Sequence, residues 1–107
     1  MYTKIATEYL ENFENKEIEK VSKLLCENVS LRDWDAEAFG KSDVVDFMNI
    51  LFKKVESIDV NILKTYESEM TVVVEMEIFI DGDALLVTDI IDFNEESKIS
   101  AIRAYLG

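Results

Sequence analysis

Apolar positions fall into two regimes along the chain. Up to Val55 they recur mostly at helical spacing, broken by one alternating stretch at 29–35, and from Ile58 onward they alternate with a period of two. In the first segment Ile5, Ala6, Tyr9, Leu10 and Phe13 form one stripe, with Glu8, Glu11 and Asn12 between them, which predicts an amphipathic helix. A second, shorter helix is expected with Ile18, Val21, Leu24 and Leu25 as its apolar side. Val29 to Asp35 then alternates, with Val29, Leu31 and Asp33 on one face and Ser30, Arg32 and Trp34 on the other. Gly40 ends the loop that follows. Ser42 is the expected N-cap of a third helix carrying Val44, Val45, Met48, Leu51, Phe52 and Val55.

The second regime predicts four strands, at 58–66, 70–80, 84–93 and 98–106, rich in Val, Ile, Tyr and Phe. Asp81-Gly82 between the second and third supplies a turn that tolerates positive φ, and Asn94-Glu95-Glu96-Ser97 supplies the next. Helices first, then an antiparallel meander, is the order of an α+β fold. No proline, repeat or low-complexity tract marks a boundary, so residues 1–107 read as one domain.

Composition narrows the chemistry. The chain carries 23 acidic against 11 basic residues, a formal charge of −12, and such a field repels nucleic acid. Histidine is absent, which removes imidazole-based nucleophile activation and the usual zinc sites. Acid–base work must then come from carboxylates, tyrosines or lysines. Cys26 is the single cysteine, so neither a disulfide nor a metal framework is expected, and a reducing cytoplasm is the expected compartment. No apolar run reaches the roughly 18 residues of a membrane span. Met1-Tyr2-Thr3-Lys4 lacks the basic-then-apolar opening of a secretory signal.

Three polar residues stand among apolar ones. Asp33 shares its face with Val29 and Leu31, Asp89 shares its face with Leu85, Val87, Ile91 and Phe93, and Tyr9 lies on the first helix's apolar stripe. A carboxylate turned toward a core is costly unless donors compensate, so such groups in a concave apolar setting are candidates for chemistry. Each also has an ordinary explanation. Tyr9 can be a core tyrosine with its hydroxyl on a backbone partner, Asp33 can cap the loop toward Gly40, and Asp89 can pair with a backbone amide or a buried water. Trp34, on the opposite face from Asp33, is expected in packing or at a rim.

Helix, helix, "NVSLRDWD", "GKSDVVDFM" and "LLVTDIIDFNEESKISAIRAYL" together resemble the nuclear transport factor 2-like superfamily, in its SnoaL-like and ketosteroid-isomerase-like branch. The resemblance covers essentially the whole chain. It implies a cone-shaped fold, three N-terminal helices on a curved, mostly antiparallel sheet, with a small-molecule pocket. It also implies a homodimer formed through the outer sheet face with Val73, Phe79, Thr88 and Ile90. Ketosteroid isomerases use a tyrosine on the first helix, an aspartate base ending the first strand and an aspartic acid on a late strand. By that likeness Tyr9 and Asp89 would form an oxyanion hole and Asp33 would be the base, Tyr9 to Asp33 matching without a gap. The same likeness turns Val72, Val74, Met76, Leu85, Val87, Ile102 and Ala104 toward the pocket, with Met48 as a further lining residue, and leaves Arg103 facing away.

The implied reaction is proton transfer next to a carbonyl with no cofactor and no metal. The sequence departs from the isomerases at Leu25 and Met48, where several carry supporting tyrosines, and at Trp34, where a proline is common. Its loop from Asp33 to Gly40 is also slightly short. A small apolar carbonyl-type ligand fits these departures better than a steroid. Three readings stand side by side: an isomerase-like enzyme, a non-catalytic ligand-binding or interaction domain, and a related hydrolase, hydratase or cyclase. Asp33 and Asp89 across one cavity would favour an enzyme. A pocket filled by Trp34, Met48 and Met76 would favour the second reading.

Overall fold

The computed structural model describes residues 1–107. Its elements are α1 (Tyr2–Glu14), α2 (Ile18–Leu24), β1 (Leu25–Arg32), β2 (Glu37–Phe39), α3 (Lys41–Lys54), β3 (Ile58–Ser68), β4 (Thr71–Ile80), β5 (Asp83–Phe93) and β6 (Ile99–Leu106). The six strands form one sheet in the order β2-β1-β6-β5-β4-β3. Every neighbouring pair is antiparallel except β1 with β6, which is parallel. The fold is therefore α+β, three helices on a curved and mostly antiparallel sheet, and the sheet is not closed. No helix is long and apolar enough to cross a membrane.

The apolar stripes do what their spacing predicts. Ala6, Tyr9 and Leu10 of α1 and Val44, Met48 and Phe52 of α3 are buried against the inner face of the sheet. That face is made by alternate residues of the strands: Val72, Val74, Met76 and Ile78 of β4, Val87 and Ile91 of β5, and Ile102 of β6. Arg103 faces the other way and meets Asp92 at 2.7 Å.

Three details differ from the pattern. Leu25 opens β1 instead of closing α2, because α2 runs into the strand with no glycine or proline between them. Residues 37–39, within the expected loop, pair with β1 as the short edge strand β2. The third helix is capped by Gly40, not Ser42. Gly40 has φ 87° and ψ 150°, a conformation that side-chain-bearing residues rarely adopt, and this lets β2 turn straight into α3.

Curvature comes from the strands themselves. β3 shifts register between Ile62 and Lys64, an irregularity that bends a strand and increases its twist. The β4–β5 turn is the expected Asp81-Gly82, both at positive φ. The Asp81 carboxylate also accepts hydrogen bonds from the Glu56 and Ser57 N–H groups at 2.8 and 2.9 Å. That contact ties the hairpin tip to the link between α3 and β3.

Candidate active site

Between the helices and one end of the sheet's inner face lies a cavity of about 280 Å³, and 14 of its 17 lining residues are hydrophobic. Tyr9, Asp33 and Asp89 all line it. Three distant stretches of sequence thus meet around one space.

Asp89 sits at the inner end. It lies on β5 between Val87 and Ile91 on the same face, with Val74 of β4 and Ala104 of β6 as its cross-strand neighbours. Ala104 is small and lines the cavity, which leaves room beside the carboxyl. Asp89 is the one charged residue in the core and is only 6% exposed. Burial, which penalises the charged form, raises its pKa from 3.8 to about 7.

Tyr9 reaches the same space from α1, its ring 6.1 Å from that of Phe13. Burial holds its pKa well above 10, and the negative charge of Asp89 adds to the effect. Neither the Tyr9 hydroxyl nor the Asp89 carboxyl has a side-chain or backbone partner within the protein. Yet no unpartnered polar side-chain atom is sealed away from solvent. Both groups therefore open onto the cavity, and the pairing of Asp89 with a backbone amide does not occur.

Asp33 stands at the mouth, just past the end of β1, in a turn closed by its own N–H donating to Ala36 O at 3.0 Å. Its Oδ1 accepts the N–H groups of Asp35 and Ala36, each at 2.8 Å. The loop-capping role open to an aspartate here is thus real, and it occupies one oxygen. Oδ2 has no protein partner. Trp34 and Asp35 belong to the same turn and line the cavity as well. Trp34 is 44% exposed, which places it at the rim.

Of the expected lining residues, Leu85, Val87, Ile102, Ala104 and Met48 border the cavity. Val72, Val74 and Met76 do not. They share the inner face but lie fully buried toward the other end of β4. There α1 packs across β3 and β4, fixed by the Thr3 N–H and hydroxyl donating to Glu67 Oε1 at 2.8 and 2.6 Å. Ile78 and Ile80, further along the same alternation, take the lining positions, and Phe13, Phe47 and Leu51 complete the helical wall. With Met76 in the core and Trp34 at the rim, the space is not filled by side chains.

No protein-family model matches the chain, and neither does any curated protein. Solved structures do. A protein from Shewanella denitrificans, provisionally named a SnoaL-like polyketide cyclase, superimposes with a TM-score of 0.91 at 14% identity, covering 99% of this chain and 90% of that one. An NTF2-like protein of unknown function from Cytophaga hutchinsonii gives 0.86 at 14% identity, covering 100% and 90%. The chain has the NTF2-like fold. An LEH-like epoxide hydrolase of M. tuberculosis shares this fold too, with a TM-score of 0.87 at 13% identity over 99% of this chain and 82% of that one. At such identities the likeness is of fold, and NTF2-like proteins with quite different names share it.

Proposed function

We propose that the cavity is a small-molecule site for carboxylate-mediated proton transfer next to a carbonyl. The observation that carries this reading is the unpartnered Asp89 carboxyl, inside an apolar cavity that also reaches Tyr9 and Asp33. A buried acid with no partner and a pKa near neutrality costs stability, and such groups concentrate where chemistry needs them.

The roles follow from the environments. Asp33, with Oδ2 free at the mouth, takes a proton from the carbon next to the ligand's carbonyl and returns it two atoms further along. The C–H electron pair becomes the new C=C of the enolate, and negative charge moves to the carbonyl oxygen. Tyr9 and the protonated form of Asp89 donate hydrogen bonds to that oxygen. They hold charge that develops only in the transition state, in a site with few competing waters. With a pKa of about 7, Asp89 is half protonated at neutral pH and supplies this donor fully only at lower pH.

A cavity of about 280 Å³ suits a compound of one or two rings rather than a steroid. The test combines binding and turnover. Phenol, which places an oxygen where the enolate oxygen would sit, should change the fluorescence of Trp34, the only tryptophan. The unconjugated isomer of cyclohexenone should convert to the conjugated one, followed by ultraviolet absorbance. No phenol binding, or binding indifferent to Tyr9→Phe, would remove the reading. Phenol binding without turnover would leave a ligand-binding domain.

A further inference from the structure

The cavity has a charge signature of its own. Among its 17 lining residues there is no lysine, arginine, asparagine, glutamine, serine or threonine. Its polar groups are three aspartates, the Tyr9 hydroxyl and the Trp34 indole. Two of the aspartates, Asp33 and Asp35, are held in one turn at the mouth by the bond from the Asp35 N–H to Asp33 Oδ1. The third, Asp89, lies unpartnered and almost fully buried at the inner end.

A ligand that fills this space covers both ends. At the inner end it meets two hydrogen-bond donors, Tyr9 and protonated Asp89, and must present an acceptor. At the outer end it strips water from the free Asp33 Oδ2 and from Asp35. A neutral ligand would leave that desolvation uncompensated, and an anion would add repulsion. A cation compensates it, and the Trp34 ring at the rim offers a face for the same charge. The formal net charge of −12 draws cations to the opening as well.

We propose that the ligand carries a protonated amine at its outer end, against Asp35, which leaves Asp33 Oδ2 free for the ligand's carbon, and a hydrogen-bond acceptor at its inner end, against Tyr9 and Asp89, with an apolar ring or chain between. The inference rests on reading the cavity as a ligand site, and it narrows the substrate class to amine-bearing carbonyl compounds. Carboxylates, phosphates and other anionic carriers should bind more weakly.

Three phenols of similar size separate the possibilities: para-ethylphenol, tyramine and para-hydroxyphenylacetate, measured by titration calorimetry on the whole protein at low salt. Tyramine should bind on the order of tenfold more tightly than para-ethylphenol, and para-hydroxyphenylacetate more weakly by at least a similar factor. Asp35 makes no side-chain hydrogen bond, so Asp35→Asn should keep the fold, checked by circular dichroism. It should remove most of the tyramine preference while leaving para-ethylphenol within about twofold. Equal affinity for tyramine and para-ethylphenol would overturn the amine inference and leave the pocket reading intact. So would a tyramine preference lost in Asp89→Asn but kept in Asp35→Asn, which would put the ammonium at the wrong end. No binding of any of the three would overturn both.

Discussion

Tyr9 and Asp89 open onto the same cavity from opposite layers of the fold, and the charge of Asp89 adds to burial in holding the proton on Tyr9. The two groups are therefore donors together only while Asp89 is protonated. For a proton-transfer reaction, kcat/KM should fall as pH rises through about 7, because the loss of the Asp89 proton removes one donor and places a negative charge beside the developing enolate. Asp89→Asn, which keeps a neutral donor, should abolish this alkaline limb with only a modest loss of rate. Tyr9→Phe should cost roughly 100- to 1,000-fold in kcat. A pH–rate profile of the three proteins checks this, and an unchanged limb in Asp89→Asn would assign the titration elsewhere.

Asp33→Asn removes the proposed proton acceptor but preserves the acceptor oxygen that holds the turn. The Asp35 and Ala36 N–H groups keep their partner, so stability should change little. Turnover should fall by roughly 100- to 10,000-fold. Phenol affinity should be nearly unchanged, since the phenol oxygen sits at the other end. Parallel loss of binding and turnover would mean that Asp33 shapes the cavity instead of acting as base.

Asp89 also makes stability depend on pH. Its pKa is raised from 3.8 to about 7 by folding, so the folded chain holds the proton where the unfolded chain releases it. The stabilisation is fully present below pH 3.8, declines as pH rises, and is lost above about 7, a change of about 4 kcal/mol. Asp89→Asn should remove this decline and leave the variant roughly 2–4 kcal/mol more stable than the wild type at pH 8, with little difference at pH 4. Urea unfolding at the two pH values measures it. Equal slopes for both proteins would show that water already solvates the carboxyl.

A second copy of the chain is expected to cover the outer sheet face. Val73, Phe79 and Ile90 lie there with Leu86, which is 54% exposed. Charge is split across the same face: Arg32 and Arg103, the only arginines, are neighbours on β1 and β6, while Glu75 and Glu77 lie on β4. A two-fold pairing can set one group against the other. Light scattering should give twice the 12.3 kDa of one chain, and Leu86→Lys should shift the protein toward monomer. A monomer mass for the wild type at micromolar concentration would rule the pairing out.

Periodicity carried most of the fold because each long element buries one face. The alternation through β4, β5 and β6 alone places Asp89 among inward residues, and the stripe on α1 does the same for Tyr9. Alternation gives the face of a residue but not its depth along the sheet. Val72, Val74 and Met76 are indistinguishable in pattern from Ile78 and Ile80, yet α1 covers the first three and leaves the others beside the cavity. The edge strand β2, only three residues long, is too short to show a period. Gly40 carried the signal for the start of α3, since a glycine directly before a helical stripe supplies a backbone shape that Ser42 would not.

The parallel contact of β1 with β6 also bears on the order in which the molecule assembles. β3, β4 and β5 are joined by tight hairpins and need only local loop closure, whereas Leu31 must find Ile102 from far along the chain. The meander with Asp89 should therefore form early and the turn with Asp33 should dock late. Val87→Ala would then slow folding, while Leu31→Ala would chiefly speed unfolding. In such a sequence of events Asp89 is in place before Asp33 arrives, and the late contact of β1 with β6 is also the one that turns an apolar cleft into a cavity with a carboxyl group at each end.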